Sequence, residues 1–497
     1  MSNTTPNSSQ MDAALCLWRF GLGARQGDLQ AIADDPRDLL RSEVTEHAVP
    51  IPVGPLLHSS ADLMVSLIAF NRQVKAEREK PAVTAVSVEK AMTETDNRMD
   101  KAGMAAAPTM PPPMSKDKPA DVANKRPYLP QQILLAEVDA RFNGTVRQPL
   151  IGFGERLAMF WANHFSVAIG KGGDVHMLAG AFEREAIRPH IFGNFEDMLL
   201  AVETHPAMLF FLDNQQSIGP NSPANKNGKR GLNENLAREI MELHTLGVDG
   251  GYNQADVTEL ARIITGWTVY RDENRPGPVG RFSFNANSHE PGDHAVMGIT
   301  YADAGMEQGR RALRDLAHHP STARHLAFKL ARHFVSDQPP VALVTKIAAA
   351  YTKSHGDLAA TYLAMLDAEE AWDPTLKKLR PPLDFVTAVL RSSDVKPKPE
   401  QIVSVLKALG QPFWDPSGPN GFSDVSDSWG SSEGLATRID AASLFAHQVA
   451  GGIDPRDFVA DRFGPLLTRE TAQAVQRAET KPQGLTIAFL SPEFQRR

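Results

Sequence analysis

The sequence holds one cysteine, Cys16, in 497 residues. No disulfide framework can form within the chain, and a reducing compartment fits that composition. A dominant sign of charge is lacking too: 52 Lys and Arg stand against 59 Asp and Glu, dispersed, for a net charge of −7. That excludes the general basic footprint of a nucleic-acid binder, and no nucleic-acid partner is expected. Apolar runs stop short of membrane-spanning length, so no membrane segment is expected. The stretch MSNTTPNSSQMDAALCLWRFGLGARQ lacks a basic region followed by an apolar core. No export signal is read there, and the expected location is cytoplasmic.

What the chain has is helical periodicity, and it is strongest in NENLAREIMELHTLGVDGGYNQADVTELARIITGW, residues 233–267. At 100° per residue, Asn235, Glu239 and Glu242 share one sector with Arg238 beside them. Leu236, Ala237, Ile240, Met241 and Leu243 fill the other side, and His244 falls among them. Such a sector is either a solvated, salt-bridged face, with Arg238 reaching Glu234 or Glu242, or the wall of a cleft. Glu242 and His244 diverge by about 200° on a regular helix, so they cannot share one metal unless the helix breaks. Gly247 stops the helix, Gly250-Gly251 permits the turn, and Asn253 with Asp256 approximates a capping box for a second helix ending near Trp267. Asp249, Asn253 and Asp256 also echo half of a calcium loop, but Thr245 and Gly247 occupy its first ligand positions, so capping explains the pattern better.

In chain order, helices are expected at 12–20, 36–47, 61–79, 131–142 and 154–165. On the last, Leu157, Phe160, Trp161 and His164 share a face, so His164 should point inward while Arg156 and Asn163 project together elsewhere. IGKGG at 169–173 lacks the features of a phosphate loop. His205 and Asp213 read as helix-end residues. Residues 281–285 alternate as the single β segment, with His289 and Glu290 at the following turn. Arg324, His325, Lys329 and Arg332 form the basic side of a helix, which reads as solvated. Residues 411–429, rich in Gly and Pro, form a long loop of the kind that serves as a lid or binding loop, with Trp414, Phe422 and Trp429 pinning it down.

The expected fold class is mainly α: a multi-helix orthogonal or bundle array with one short β-hairpin and a long disordered insertion. The expected parts are N-terminal helices at 1–80, the insertion at 81–126, a central helical core at 127–340 and a C-terminal helical part at 341–497. The insertion is rich in Lys, Glu, Ala, Met and Pro and poor in core-forming residues.

FWANHF (160–165), GNFEDMLLAVETHPAMLFFLDN (193–214), the 233–267 stretch, HEPG (289–292), HPSTARHLAFKLARHFVSDQPP (319–340) and LSPEFQRR (490–497) together resemble the bacterial family known as domain of unknown function 1800. The resemblance runs nearly end to end, departing at 81–126. It implies a mostly helical protein without an assigned activity, so no catalytic residue is carried across. It also implies a companion resembling alkaline phosphatases, domain of unknown function 1501; many such companions look exported, whereas this chain shows no export signal.

Two functional readings follow. In one the protein is a helical scaffold or accessory factor with a polar cleft around 233–267. In the other it is a hydrolase or metal-assisted enzyme, with Glu239, Glu242, His164 and His289 as candidate catalytic residues and Asn235, Arg238, Asn163, His244 and Trp267 as candidate binding residues. The sequence names no metal and no cofactor.

Overall fold

The computed structural model describes residues 8–79, 128–226, 228, 231–273 and 277–497. The expected insertion at 81–126 lies outside the described residues. Helices dominate, and one continuous apolar core runs from Leu15 through Leu236 and Leu330 to Phe494, drawing on the N-terminal, central and C-terminal parts alike. No described helix is long and apolar enough to cross a membrane.

At the centre stands the helix Phe153–His164, buried along nearly its whole length. Its start is set from a distance. The carboxylate of Glu43, on the helix Pro36–Thr45, accepts from the backbone N–H groups of Ile151, Gly152 and Phe153 at 2.7–3.1 Å. These donors have no partner within the helix, and a carboxylate at that end also meets the positive pole of the helix dipole. Gly154 makes the approach possible, since a Cβ there would lie 2.1 Å from the Ala48 carbonyl oxygen. The apolar spacing read from the sequence is realised: Trp161 is fully buried and His164 is 2 % exposed.

Four charged side chains tie this helix to its neighbours. Arg188 places two nitrogens on Glu155, at 2.7 and 2.8 Å, and its Nε on Glu183 at 2.9 Å. Arg141 pairs with Glu183 as well, and all four residues are buried. The cluster joins Leu129–Asp139 and the widened turn after it, Phe153–His164, and the segment following Gly173–Phe182.

The expected strand at 281–285 forms as Phe282–Phe284, paired antiparallel with Trp267–Val269. A second hairpin is also present, His294–Val296 with Ile299–Tyr301. Its turn residues Met297 and Gly298 both have positive φ, the conformation that suits a two-residue hairpin. Two short ladders therefore stand where the sequence pattern showed one.

Candidate functional site

The 233–267 element does not run as a plain helix. Asn235–Glu239 is α-helical, and Ile240–His244 widens into a π-turn. Three side chains take up its terminal carbonyls. Thr245 Oγ1 donates to Ile240 O at 2.6 Å, His325 Nε2 to Leu243 O at 3.1 Å, and His164 Nε2 to His244 O at 3.1 Å. A carbonyl can only accept, so both imidazoles carry their proton on Nε2 and leave Nδ1 bare. His164 Nδ1 is buried without a hydrogen-bond partner. Burial pushes the His164 ring far below the usual histidine range, and Lys329, His244 and His325 add to it. Gly247, at φ +83°, lets the His325 ring lie against the backbone, since a Cβ there would come 2.8 Å from its Nδ1.

His244 points into the core, where its Nδ1 lies 2.7 Å from Glu203 Oε1. The ring centroids of His164 and His244 are 6.2 Å apart. Glu239 is half-buried near this pair. Burial is the main cause that raises its carboxyl, opposed by His244 and assisted by Glu242. Glu242 stays part-exposed beside Tyr252. Arg238 takes the local option, pairing with Glu234 at 3.2 Å, and Asn235 is exposed. Asn253 and Asp256 form the expected capping box.

The sequence candidates thus fall into separate places. His164 and Glu239 lie near the His244–Glu203 pair. His289 lies elsewhere: its Nδ1 is 3.1 Å from Thr265 O, and its ring packs on Phe284. Glu290 beside it accepts from Asn221, fastening that turn. Trp267 is fully buried at the start of its strand. Among the described residues no three His, Cys, Asp or Glu side chains come together in a metal-holding group.

Raising a half-buried carboxyl makes a definite prediction. A carboxyl whose folded value exceeds its unfolded one contributes stability below the unfolded value and loses it as pH rises through the folded one. Glu239→Gln is therefore expected to stabilise the protein at pH 7, by no more than about 0.5 kcal/mol given the partial exposure. Denaturant unfolding at pH 7 and at pH 4 checks this, since the gain should vanish at the lower pH.

Asn163 belongs to a different concavity. Its amide clamps the Phe422 peptide from both sides, donating to Phe422 O at 2.9 Å and accepting from Phe422 N at 2.8 Å. Ser166 donates to Pro419 O at 2.9 Å, and Ile169 N to Trp414 O at the same distance. The long loop is thereby pinned over the end of the central helix, and a pocket of about 710 Å³, counting its open mouth, lies beneath it. Phe413, Trp414, Phe422, Leu383 and Met159 supply apolar wall.

A charged relay forms the polar edge of the pocket. Arg156 Nη2 lies 3.2 Å from His333 Nε2, and His333 Nδ1 lies 3.1 Å from Asp424. Arginine has no acceptor, so Nε2 must accept and Nδ1–H must donate to Asp424. Arg156 also pairs with Asp384 at 2.5 Å, Lys378 donates to the Asp424 carbonyl, and Arg497 lies 3.2 Å from Asp384. Burial opposes ionisation of Asp424, but His333, Lys378 and Arg156 outweigh it and hold the carboxyl below its ordinary value.

Sequence reasoning did not reach His333, Asp384 or Asp424. The one available signal was spacing, because His325, Lys329 and His333 recur every four residues in HLAFKLARH. The basic side expected to be solvated divides: Arg324 is exposed, while His325, Lys329 and Arg332 are part-buried.

Fold and site together define a mainly helical protein whose central helix carries a pinned loop, with a pocket between them edged by paired charges. The chain belongs to the family described as Protein of unknown function (DUF1800), whose pattern matches residues 15–496. No curated protein and no solved structure matches it.

Proposed function

We propose that the chain is a small-molecule-binding protein, with its ligand held in the pocket between the Phe153–His164 helix and the 411–424 loop. The observation that carries this reading is the pairing of a preformed, aromatic-walled concavity with a polar edge whose charges already meet one another. Concave sites that are mostly apolar with a few placed polar groups are the usual form of small-molecule sites. Because Asp384 and Asp424 each face cations of the protein itself, a charged ligand would find no free counter-charge, so the ligand is uncharged with an apolar body. His333 has both ring nitrogens occupied, which suits positioning rather than proton transfer.

Filling the pocket tests this. Ala162 lines it, and Ala162→Leu should remove ligand space while leaving the helix intact. Native mass spectrometry after incubation with a cell metabolite extract should show an adduct on the wild type that the filled variant lacks. Identical spectra from the two would overturn the reading.

Acid–base or metal-assisted hydrolysis at Glu239, with Glu242 and His164 near it and His289 set apart, remains a second proposal. Its support is the raised Glu239 carboxyl beside the Glu203–His244 pair. Under either reading a cytoplasmic location and a role beside an alkaline-phosphatase-like companion stay proposals, the latter resting on family resemblance alone.

A further inference from the structure

A second concavity, of about 980 Å³ counting its open mouth, shares no lining residue with the pocket beneath the 411–424 loop. Its walls come from the turn Asn214–Gln216, the strand Trp267–Val269 and the segment 285–288. These walls are fixed to one another. Asn214 Nδ2 donates to Ile264 O and Trp267 O, at 3.3 and 3.1 Å. Asn285 N donates to Gly266 O at 2.8 Å, and Gly219 N to Ser288 O at 2.9 Å. The concavity is therefore preformed.

Its lining is polar and, among the described residues, carries no charge. The amides of Gln215, Gln216 and Asn285 and the hydroxyls of Ser217, Thr268 and Ser288 supply it. The charged groups that flank these segments in the chain are spent elsewhere. Asp213 pairs with Lys171 at 2.5 Å, and Glu290 accepts from Asn221. Much of the lining has hydrogen-bonding capacity to spare. The Gln215 and Gln216 carboxamides take no hydrogen bond within the chain, and Gln215 Oε1 is buried. Ser217 Oγ accepts from Asn233 N and Ser288 Oγ from Asn285 Nδ2, both at 3.1 Å, so each hydroxyl keeps its proton to give. Thr268 Oγ1 donates to Gln215 O at 3.4 Å and keeps its lone pairs. Buried polar groups are ordinarily paired, so the unspent carbonyl of Gln215 marks where a donor belongs.

The chemistry of a ligand follows by exclusion. A charged one would lose its water and meet no counter-charge, and an apolar one would strand the lining. Amides beside hydroxyls match a group that both donates and accepts, which a hydroxyl does. We propose that this concavity binds an uncharged polyhydroxyl compound, a sugar or cyclic polyol. Gln215 Oε1 and Thr268 Oγ1 accept from ligand hydroxyls, while the Ser217 and Ser288 hydroxyls donate to ligand oxygens. Ile218, also in the wall, gives the carbon–hydrogen face of a ring its apolar contact. The site is separate from the one proposed above for an apolar ligand and does not rest on it.

Saturation-transfer NMR on the full chain tests this, with glucose, maltose, trehalose and myo-inositol as neutral probes. Glucuronate, glucose 6-phosphate and the neutral amide N-acetylglycinamide are run beside them. At least one neutral polyol should bind, and more tightly than either charged sugar or the amide. Gln215→Leu and Thr268→Val nearly preserve side-chain volume and should melt as the wild type does. Each should raise the Kd of that polyol about tenfold, the loss of one ligand hydrogen bond. Three results would overturn the proposal: no polyol bound by the wild type, tighter binding of a charged sugar or the amide, or a Kd unchanged in the variants.

Discussion

Arg188→Met is expected to destabilise the protein by roughly 3–5 kcal/mol, the scale seen when one partner of a buried ion pair is removed. Arg188 is 2 % exposed and serves both Glu155 and Glu183, which are themselves buried. Methionine fills the volume but leaves Glu155 with only Arg141, at 3.6 Å, as a cation. Arg188→Lys should recover part of the loss, because an ammonium restores charge without the forked geometry. The pH dependence has a definite sign. Burial raises the Glu183 carboxyl, but Arg141 and Arg188 overcome this and leave it below its ordinary value. A lowered carboxyl contributes stability above the unfolded value, about 4.3, and loses it as pH falls through the folded one. The gap between wild type and Arg188→Met should thus narrow on acidification toward pH 4. Urea unfolding at pH 7 and pH 4 measures it, and a loss below about 1 kcal/mol at pH 7 would show that the cluster is not what orients the central helix.

That cluster marks the boundary of what the sequence reveals. Local devices were legible. The inward face of Trp161 and His164, the Asn253–Asp256 box and the helix-capping use of His205, whose Nδ1 accepts from Ala207 N, follow from spacing within a few residues. The 411–429 loop was legible from composition; Trp414 packs against the core, while the Trp429 indole donates to Ser423 O within the loop itself. Partners far apart in the chain were not legible. Glu43 caps a helix that begins 110 residues later, Arg156 meets His333 across 177 residues, and His333 meets Asp424 across 91. No period in a single sequence encodes such meetings. The π-turn at Ile240–His244 was hidden for another reason: it is held by His164 and His325 from outside the segment. The second hairpin escaped because its strands span three residues each and Met-Gly is not among the common two-residue turn pairs.

Trp161→Ala should cost roughly 3–5 kcal/mol, as truncation of a large aromatic in a core does. The indole is fully buried and packs edge-on against Phe160 and His164 and face-on against Phe165. Its Nε1 donates to Tyr362 Oη at 2.7 Å, so alanine also strands a buried hydroxyl. Trp161→Phe separates the two contributions. It keeps most of the ring but not the donor, and should cost about 1–3 kcal/mol. The consequence reaches the candidate site through His164, which loses the ring that sets its angle toward His244 O. In Trp161→Ala the carbonyl end of Ile240–His244 should therefore loosen before the rest of the fold. Hydrogen exchange resolved by peptide should show faster exchange at 240–247 than at Phe195–Glu203, the neighbouring helix that carries Glu203. A variant that melts like the wild type, with unchanged exchange at 240–247, would mean that the aromatic face does not hold the helix end in place.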